Sequence, residues 1–258
     1  MNRLLASLPI FVVLAVSALL LAYGPIQQPA DYHRFADHSV LFGVPHAADV
    51  LSNLGFILVG LWGWLRLHPQ RAHPALAAGW PGYRLFLAGL MLTAAGSAYY
   101  HLAPDDARIV WDRLSIALAC AGLLSAVWAE TRPAGRGHTA WLALLAIASV
   151  AWCAYGDWRG QPDLRPYLLV QGLPLLLVPL LQAIHHAPRR DRLAFGIALL
   201  LYLVARVAEL YDHQLLALLG ILSGHTLKHL LATAAAAVLV GRLVERVKSA
   251  SGAAMAYA

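Results

Sequence analysis

The feature that most constrains this chain is a recurrence: stretches of about twenty mostly apolar residues return eight times, separated by short breaks rich in Pro, Gly and charge. They fall at 4–23, 47–67, 83–102, 110–129, 138–155, 166–184, 193–211 and 224–244. A helix needs about 20 such residues to cross a hydrocarbon core of roughly 30 Å. Helices are the expected form, because segments of this length close their own backbone hydrogen bonds. Strands of a membrane barrel would be about ten residues long with alternating polarity. The expected fold is therefore all-α and polytopic. Composition agrees: 60% of the residues are apolar and 12% charged, against roughly 45–50% and about 25% in soluble domains.

The organisation expected from these segments is an N-terminal transmembrane helix or signal-like segment at 1–24 and a loop at 25–46. A seven-helix core follows at 47–247, with a tail at 248–258. Arg3 ahead of an apolar run suits a signal peptide, but the run is long and no clear A-x-A site follows it. Cleavage would leave seven spans and the same downstream orientation.

The formal charge of +6 comes from 17 Arg and 2 Lys scattered through the hydrophilic breaks. They form no continuous stripe, so nucleic acid is not an expected partner. Topology accounts for them better. With the N-terminus in the cytoplasm, twelve basic residues lie inside: Arg3, Arg66, Arg71, Arg84, Arg132, Arg136, Arg189, Arg190, Arg192, Arg242, Arg246 and Lys248. Five lie outside, namely Arg34, Arg108, Arg113, Arg159 and Arg165, which favours cytoplasmic termini. Tyr99, Tyr100, Trp111, Trp152, Tyr155, Trp158 and Tyr211 then form an outer aromatic belt. Cys120 and Cys153 lack CxxC spacing and read as packing residues. Gly172, Pro174 and Pro179 should kink the sixth segment.

Ionisable groups within spans are costly and so point to function. Here they gather at one depth. Ser97 and His101 close the third span, Asp112 opens the fourth, and His225 and His229 open the eighth. Residues four apart project from one helix face, as Ser97/His101 and His225/His229 do. Three neutral imidazoles with one open position make a tetrahedral zinc site of the catalytic kind, leaving Asp112 free to hold or deprotonate water. Lys228, one residue from His229, is expected to face away. Arg206 and Glu209, three apart, read either as a structural ion pair or as a head-group contact. His33, His38 and His46 read as exposed loop histidines, with a metal or head-group role as the alternative. His68, His73, His138, His185 and His186 lie away from the cluster.

The frame Ser-x3-His, Asp eleven residues after that His, and a late His-x3-His resembles the CREST superfamily of seven-helix membrane hydrolases. Within it the chain is most similar to the alkaline ceramidase family, including its bacterial members, over residues 45–245. The runs Ala48–Leu54 and Gly224–Leu231 resemble that family's first and last core helices. The resemblance implies zinc on His101, His225 and His229, with Asp112 on the reacting water and Ser97 on the reacting carbonyl. It implies amide hydrolysis in a ceramide-like N-acyl lipid; the charge count puts the site on the outer side, the periplasmic face of an expected bacterial inner membrane. Eukaryotic members of that family carry an acidic, calcium-binding segment ahead of the first core helix; here that region has no glutamate and only Asp49 and Asn53 could belong to such a site, so calcium is not expected. Progestin and adipoQ receptors and hemolysin-III-like proteins share a related frame, so a receptor is the main alternative, but the cytoplasmic connections are too short to recruit a large partner. A transporter ranks last, for want of inverted repeats and midplane charges.

Overall fold

The computed structural model describes residues 3–132, 135 and 137–256. Arg136, counted above among the cytoplasmic basic residues, and residues 257–258 of the tail lie outside the described residues. The described residues are all-α apart from one hairpin of two two-residue strands. Its helices are α1 (Arg3–Tyr23), α2 (Ala47–Ser52), α3 (Leu54–Leu67), α4 (Trp80–Leu102), α5 (Asp106–Thr131), α6 (His138–Trp158), α7 (Arg165–Ile184), α8 (Arg189–Leu210), α9 (Asp212–Leu219) and α10 (Gly224–Ala256). Taking α2 and α3 together, eight helical spans among the described residues are long and apolar enough to cross a membrane.

Several boundaries differ from the expected ones. The second segment is two helices with a break at Asn53, and α10 continues through residues set aside as a tail. Helix α7 runs unbroken past Pro174 and Pro179. Helix α9 and the hairpin pairing Val40 with Pro45 and Leu41 with Val44 lie in stretches read as connections.

The core forms where α4 meets α5 and α8 meets α10, with α3 against α4 and α10. Glycines seven apart let α4 and α5 approach closely: a Cβ on Gly82 would sit 2.3 Å from the Ala126 nitrogen, and one on Gly96 2.6 Å from the Trp111 carbonyl. Small residues at such seams are what packing in lipid requires, since lipid offers no hydrophobic drive for helices to associate. The expected aromatic belt is exposed at Tyr99, Trp111, Trp152, Tyr155, Trp158 and Tyr211, whereas Tyr100 is buried. Cys153 is buried, Cys120 partly so, and both are free.

Helix α1 packs on α7, and its end is tied down by Asp163. That carboxylate accepts from Arg165 Nη2 at 2.9 Å, from Trp152 Nε1 at 3.3 Å and from the Ile26 N–H at 3.5 Å. The bonds from Arg165 hold its pKa down at about 2. A carboxylate with a depressed pKa stabilises the fold only while it is ionised, so this contribution is full above about pH 4 and lost as pH falls through about 2. Asp163→Asn is expected to lower the thermal midpoint by roughly 2–4 °C at pH 7 and to leave it unchanged near pH 2, as followed by a melting series.

Candidate metal centre

The end of α4, the start of α5 and the start of α10 meet at one end of the bundle. Helix α4 stops at Leu102 ahead of Pro104, and Asp105 caps α5 by accepting from the Arg108 N–H at 2.7 Å. At the start of α10 the Thr226 N–H donates to Ser223 Oγ at 2.9 Å and the His225 N–H to Asp212 Oδ1 at 2.7 Å. Capping of this kind satisfies the free N–H groups of a first helical turn. Gly224 allows the approach, because a Cβ there would lie 2.0 Å from the Ala208 carbonyl oxygen. Gly224→Ala is accordingly expected to cost about 1–3 kcal/mol, measured by thermal or denaturant unfolding in detergent, by forcing α10 off α8.

His101, His225 and His229 come together here, all buried, with potential ligand atoms within 4.8 Å of one another. Their ring centroids are 4.7, 5.0 and 4.8 Å apart, and His101 Nε2 faces His225 Nε2 at 3.1 Å. Two nitrogens each about 2.0–2.1 Å from a tetrahedral zinc would stand about 3.3–3.4 Å apart, so this edge has the right size. His101 is fully buried, and its Nδ1 has no hydrogen-bond partner among the described residues. One tautomer lets this pair share a single N–H···N hydrogen bond; with both Nε2 lone pairs directed inward the same two atoms could instead hold a cation. The residues present fit a metal ion.

His229 is held from behind. Its Nδ1 donates to the Asp49 carbonyl at 3.2 Å and sits 2.9 Å from Ser52 Oγ, which itself donates to that carbonyl. The break at Asn53 frees the carbonyl, since the Asn53 N–H turns to Val50 O instead. Partners on the far nitrogen of a ligating histidine fix its ring and tautomer. Asn53 Nδ2 donates to the same carbonyl at 2.8 Å, and the Asp49 carboxylate accepts from Thr226 Oγ1 at 2.6 Å. Asp49 and Asn53 thus stand behind the histidines.

Ser97 is buried one turn before His101, and its hydroxyl donates to Asp112. Gly96 brings them together, since its backbone lies against Trp111 and Asp112. Arg206 and Glu209 form the expected intrahelical pair. Glu209 does more: it pairs with Lys228 at 3.0 Å and reaches to 3.8 Å from His225 Nδ1. The expectation that Lys228 faces away is wrong. Its Nζ lies 2.8 Å from His225 Nε2, because three residues of helix separate the two and place them on one face.

The loop at 25–46 also departs from its reading. Phe35 is buried against His101 and His225, with centroids at 4.7 and 4.3 Å. The Ala36 N–H donates to Asp212 Oδ2 at 2.8 Å, and Asp37 accepts from the Asp49 N–H at 2.9 Å. Burial alone would raise the Asp37 pKa, but hydrogen bonds from Ser39 and the Asp49 N–H hold it below the usual carboxylate range. His33 is no free loop histidine: it contacts Tyr100 Oη at 2.8 Å and Asp106 at 2.9 Å. His38 is exposed, and His46 contacts the Asp37 carbonyl. Away from the cluster, His138 sits 2.9 Å from Ser125 Oγ.

Two spaces deserve placing. An apolar groove of about 260 Å³, lined by Leu92, Ala95, Gly96, Tyr99, Trp111 and Leu114, runs between α4 and α5; it takes in sequence neighbours of Ser97 and Asp112 but neither residue itself. A larger cavity of about 590 Å³ opens at the other end of the bundle, near Glu130 and Arg246 and away from the histidines. No protein-family model, curated protein or solved structure matches this chain.

Proposed function

We propose that the chain is a zinc-dependent membrane amidase that cleaves an N-acyl lipid to a fatty acid and an amine. The observation that carries this reading is the buried three-histidine cluster with a Ser97–Asp112 pair beside it on the neighbouring helices. Three nitrogen ligands suit a catalytic rather than a closed structural site. His101, His225 and His229 would hold the ion, which supplies Lewis acidity to the amide carbonyl and raises the acidity of water at the site.

The protein's own groups perform the proton transfers. Asp112 takes a proton from the attacking water as its oxygen bonds to the carbonyl carbon. The Ser97 hydroxyl donates to the oxyanion that develops. Asp112 then passes its proton to the amine nitrogen as the C–N bond breaks, leaving a carboxylate and a protonated amine. Lys228 contacts both Glu209 and His225 Nε2, so for that nitrogen to hold an ion Lys228 would have to give up the second contact and keep the first. Phe35 covers the histidines and keeps bulk water out. The α4–α5 groove gives an acyl chain a lateral path from the bilayer. On this reading the chain is a CREST-like hydrolase in a bacterial inner membrane, with the site toward the periplasm.

The test is fatty-acid release from a panel of N-acyl lipids by the detergent-purified protein, with and without a chelator. Chelator-sensitive release that returns on adding zinc is expected. Metal binding without release from any amide lipid overturns the enzyme reading and favours a receptor.

A further inference from the structure

Most of the Lys and Arg residues that are at least partly buried among the described residues meet a carboxylate; Arg132, which donates to the Ala6 carbonyl, and the buried Arg113 do not. Lys228 and Arg206 meet Glu209, Arg242 meets Asp191, Arg246 meets Glu130 and Arg165 meets Asp163, each with a carboxylate oxygen in contact. Arg113 is only 4% exposed, yet none of the ion pairs among the described residues includes it. It lies about 10 Å into α5, at a rise of about 1.5 Å per residue. One N–H reaches Gln28 Oε1, and the guanidinium lies 5.9 Å from the Tyr32 ring centre and 5.8 Å from that of Tyr167. A guanidinium carries five donors in a planar fork, so most of this one is uncommitted.

The surroundings place that fork at the candidate site. Asp112 is its neighbour in sequence and interacts electrostatically with Lys228, Glu209 and Arg113. Tyr32 is within electrostatic reach of those same four groups, and Tyr167 of Asp112, Tyr32 and Arg113. Arg113 therefore sits where α5 meets α7 and the loop at 25–46, within electrostatic reach of Asp112. Cations in membrane spans ordinarily find partners, and a carboxylate matches a guanidinium through two parallel hydrogen bonds.

We infer that Arg113, with Gln28, Tyr32 and Tyr167, forms an anion-binding subsite beside Asp112 for the carboxylate of a lipid head group, so that the lipid taken here is an N-acyl amino acid. The subsite stands on the geometry of Arg113; only its use in turnover rests on the amidase reading. Gln28 sets the fork, the tyrosine rings flank it, and the head-group carboxylate completes the pairing that the protein leaves open. The amide of such a lipid lies two bonds from the carboxylate carbon of a glycine head group, which puts the scissile bond next to Asp112.

The probes are N-palmitoylglycine and N-palmitoylethanolamine, which share chain and amide and differ in the carboxylate. Binding is measured to the full chain in zwitterionic nanodiscs with chelator present, and hydrolysis in parallel without it. The wild type is expected to bind the glycine amide at least roughly tenfold more tightly. Arg113→Gln should remove that preference while binding the ethanolamine amide about as the wild type does, and Arg113→Lys should keep part of it because charge remains but the fork is lost. Equal binding of the two probes by the wild type, or a preference that survives in Arg113→Gln, overturns the subsite. Should Arg113→Gln not fold, an undiminished preference in Arg113→Lys does so instead. Equal hydrolysis of both amides sinks the substrate class and leaves the amidase standing, whereas hydrolysis of neither sinks the amidase while the binding comparison still decides the subsite.

Discussion

Detergent-purified wild-type protein is expected to carry about one zinc ion per chain, and His225→Ala/His229→Ala to carry essentially none, by metal analysis of the two samples side by side. Loss of two of three imidazoles leaves His101 alone, which cannot retain the ion through purification. The geometry makes the prediction specific. Both residues project from one face of α10 a turn apart toward His101, and the far nitrogen of His229 is fixed by the Asp49 carbonyl and Ser52. That support should keep the ring in place before any ion arrives, since partners of this kind usually contribute about 10–100-fold in affinity. The double variant should still fold, because the Asp212 and Ser223 caps of α10 use backbone N–H groups and do not depend on the imidazoles. A wild type without metal, or a double variant that retains it, would remove the metal centre from the account.

How much of this was legible in the sequence depends on what each feature needs from its surroundings. The spans were legible because length and apolarity are properties of a segment alone. Their faces were not: in lipid both the packed and the lipid-facing sides of a helix are apolar, so no stripe tells them apart. The glycines at 82, 89 and 96 are visible as letters, but their spacing means close approach only once α5 is known to lie against them. The histidines converge because two of them sit four apart on one helix and the third ends a span at the same level, which spacing and alternation of topology bring out together. Lys228 is adjacent to His229, which turns it away from that residue, but it is three residues from His225, which sets the two on one face of the helix. The loop at 25–46 has no periodicity, so nothing in it announced that Phe35 packs on two of the histidines or that Asp37 caps α2. Asn53 breaks a helix without glycine or proline, and the Asp49 carbonyl it frees could not be foreseen either.

Asp112→Asn is expected to lower the rate of amide hydrolysis by about 10²–10⁴-fold while metal content and thermal midpoint stay near those of the wild type. Asparagine keeps the size of the side chain and an acceptor for the Ser97 hydroxyl, so the α4–α5 contact at Gly96 is undisturbed. What it loses is the ability to take a proton from water and return it to the departing amine. The loss should therefore fall on kcat with KM little changed, because the proton moves only on the way to the transition state. A ligand to the metal would behave otherwise, shedding the ion on substitution, and a purely structural carboxylate would lower stability along with activity. Residual hydrolysis within tenfold of the wild type would take the base role away from Asp112. Glu209, 3.8 Å from His225 Nδ1 and already paired with Lys228, is the carboxylate that would then have to carry it.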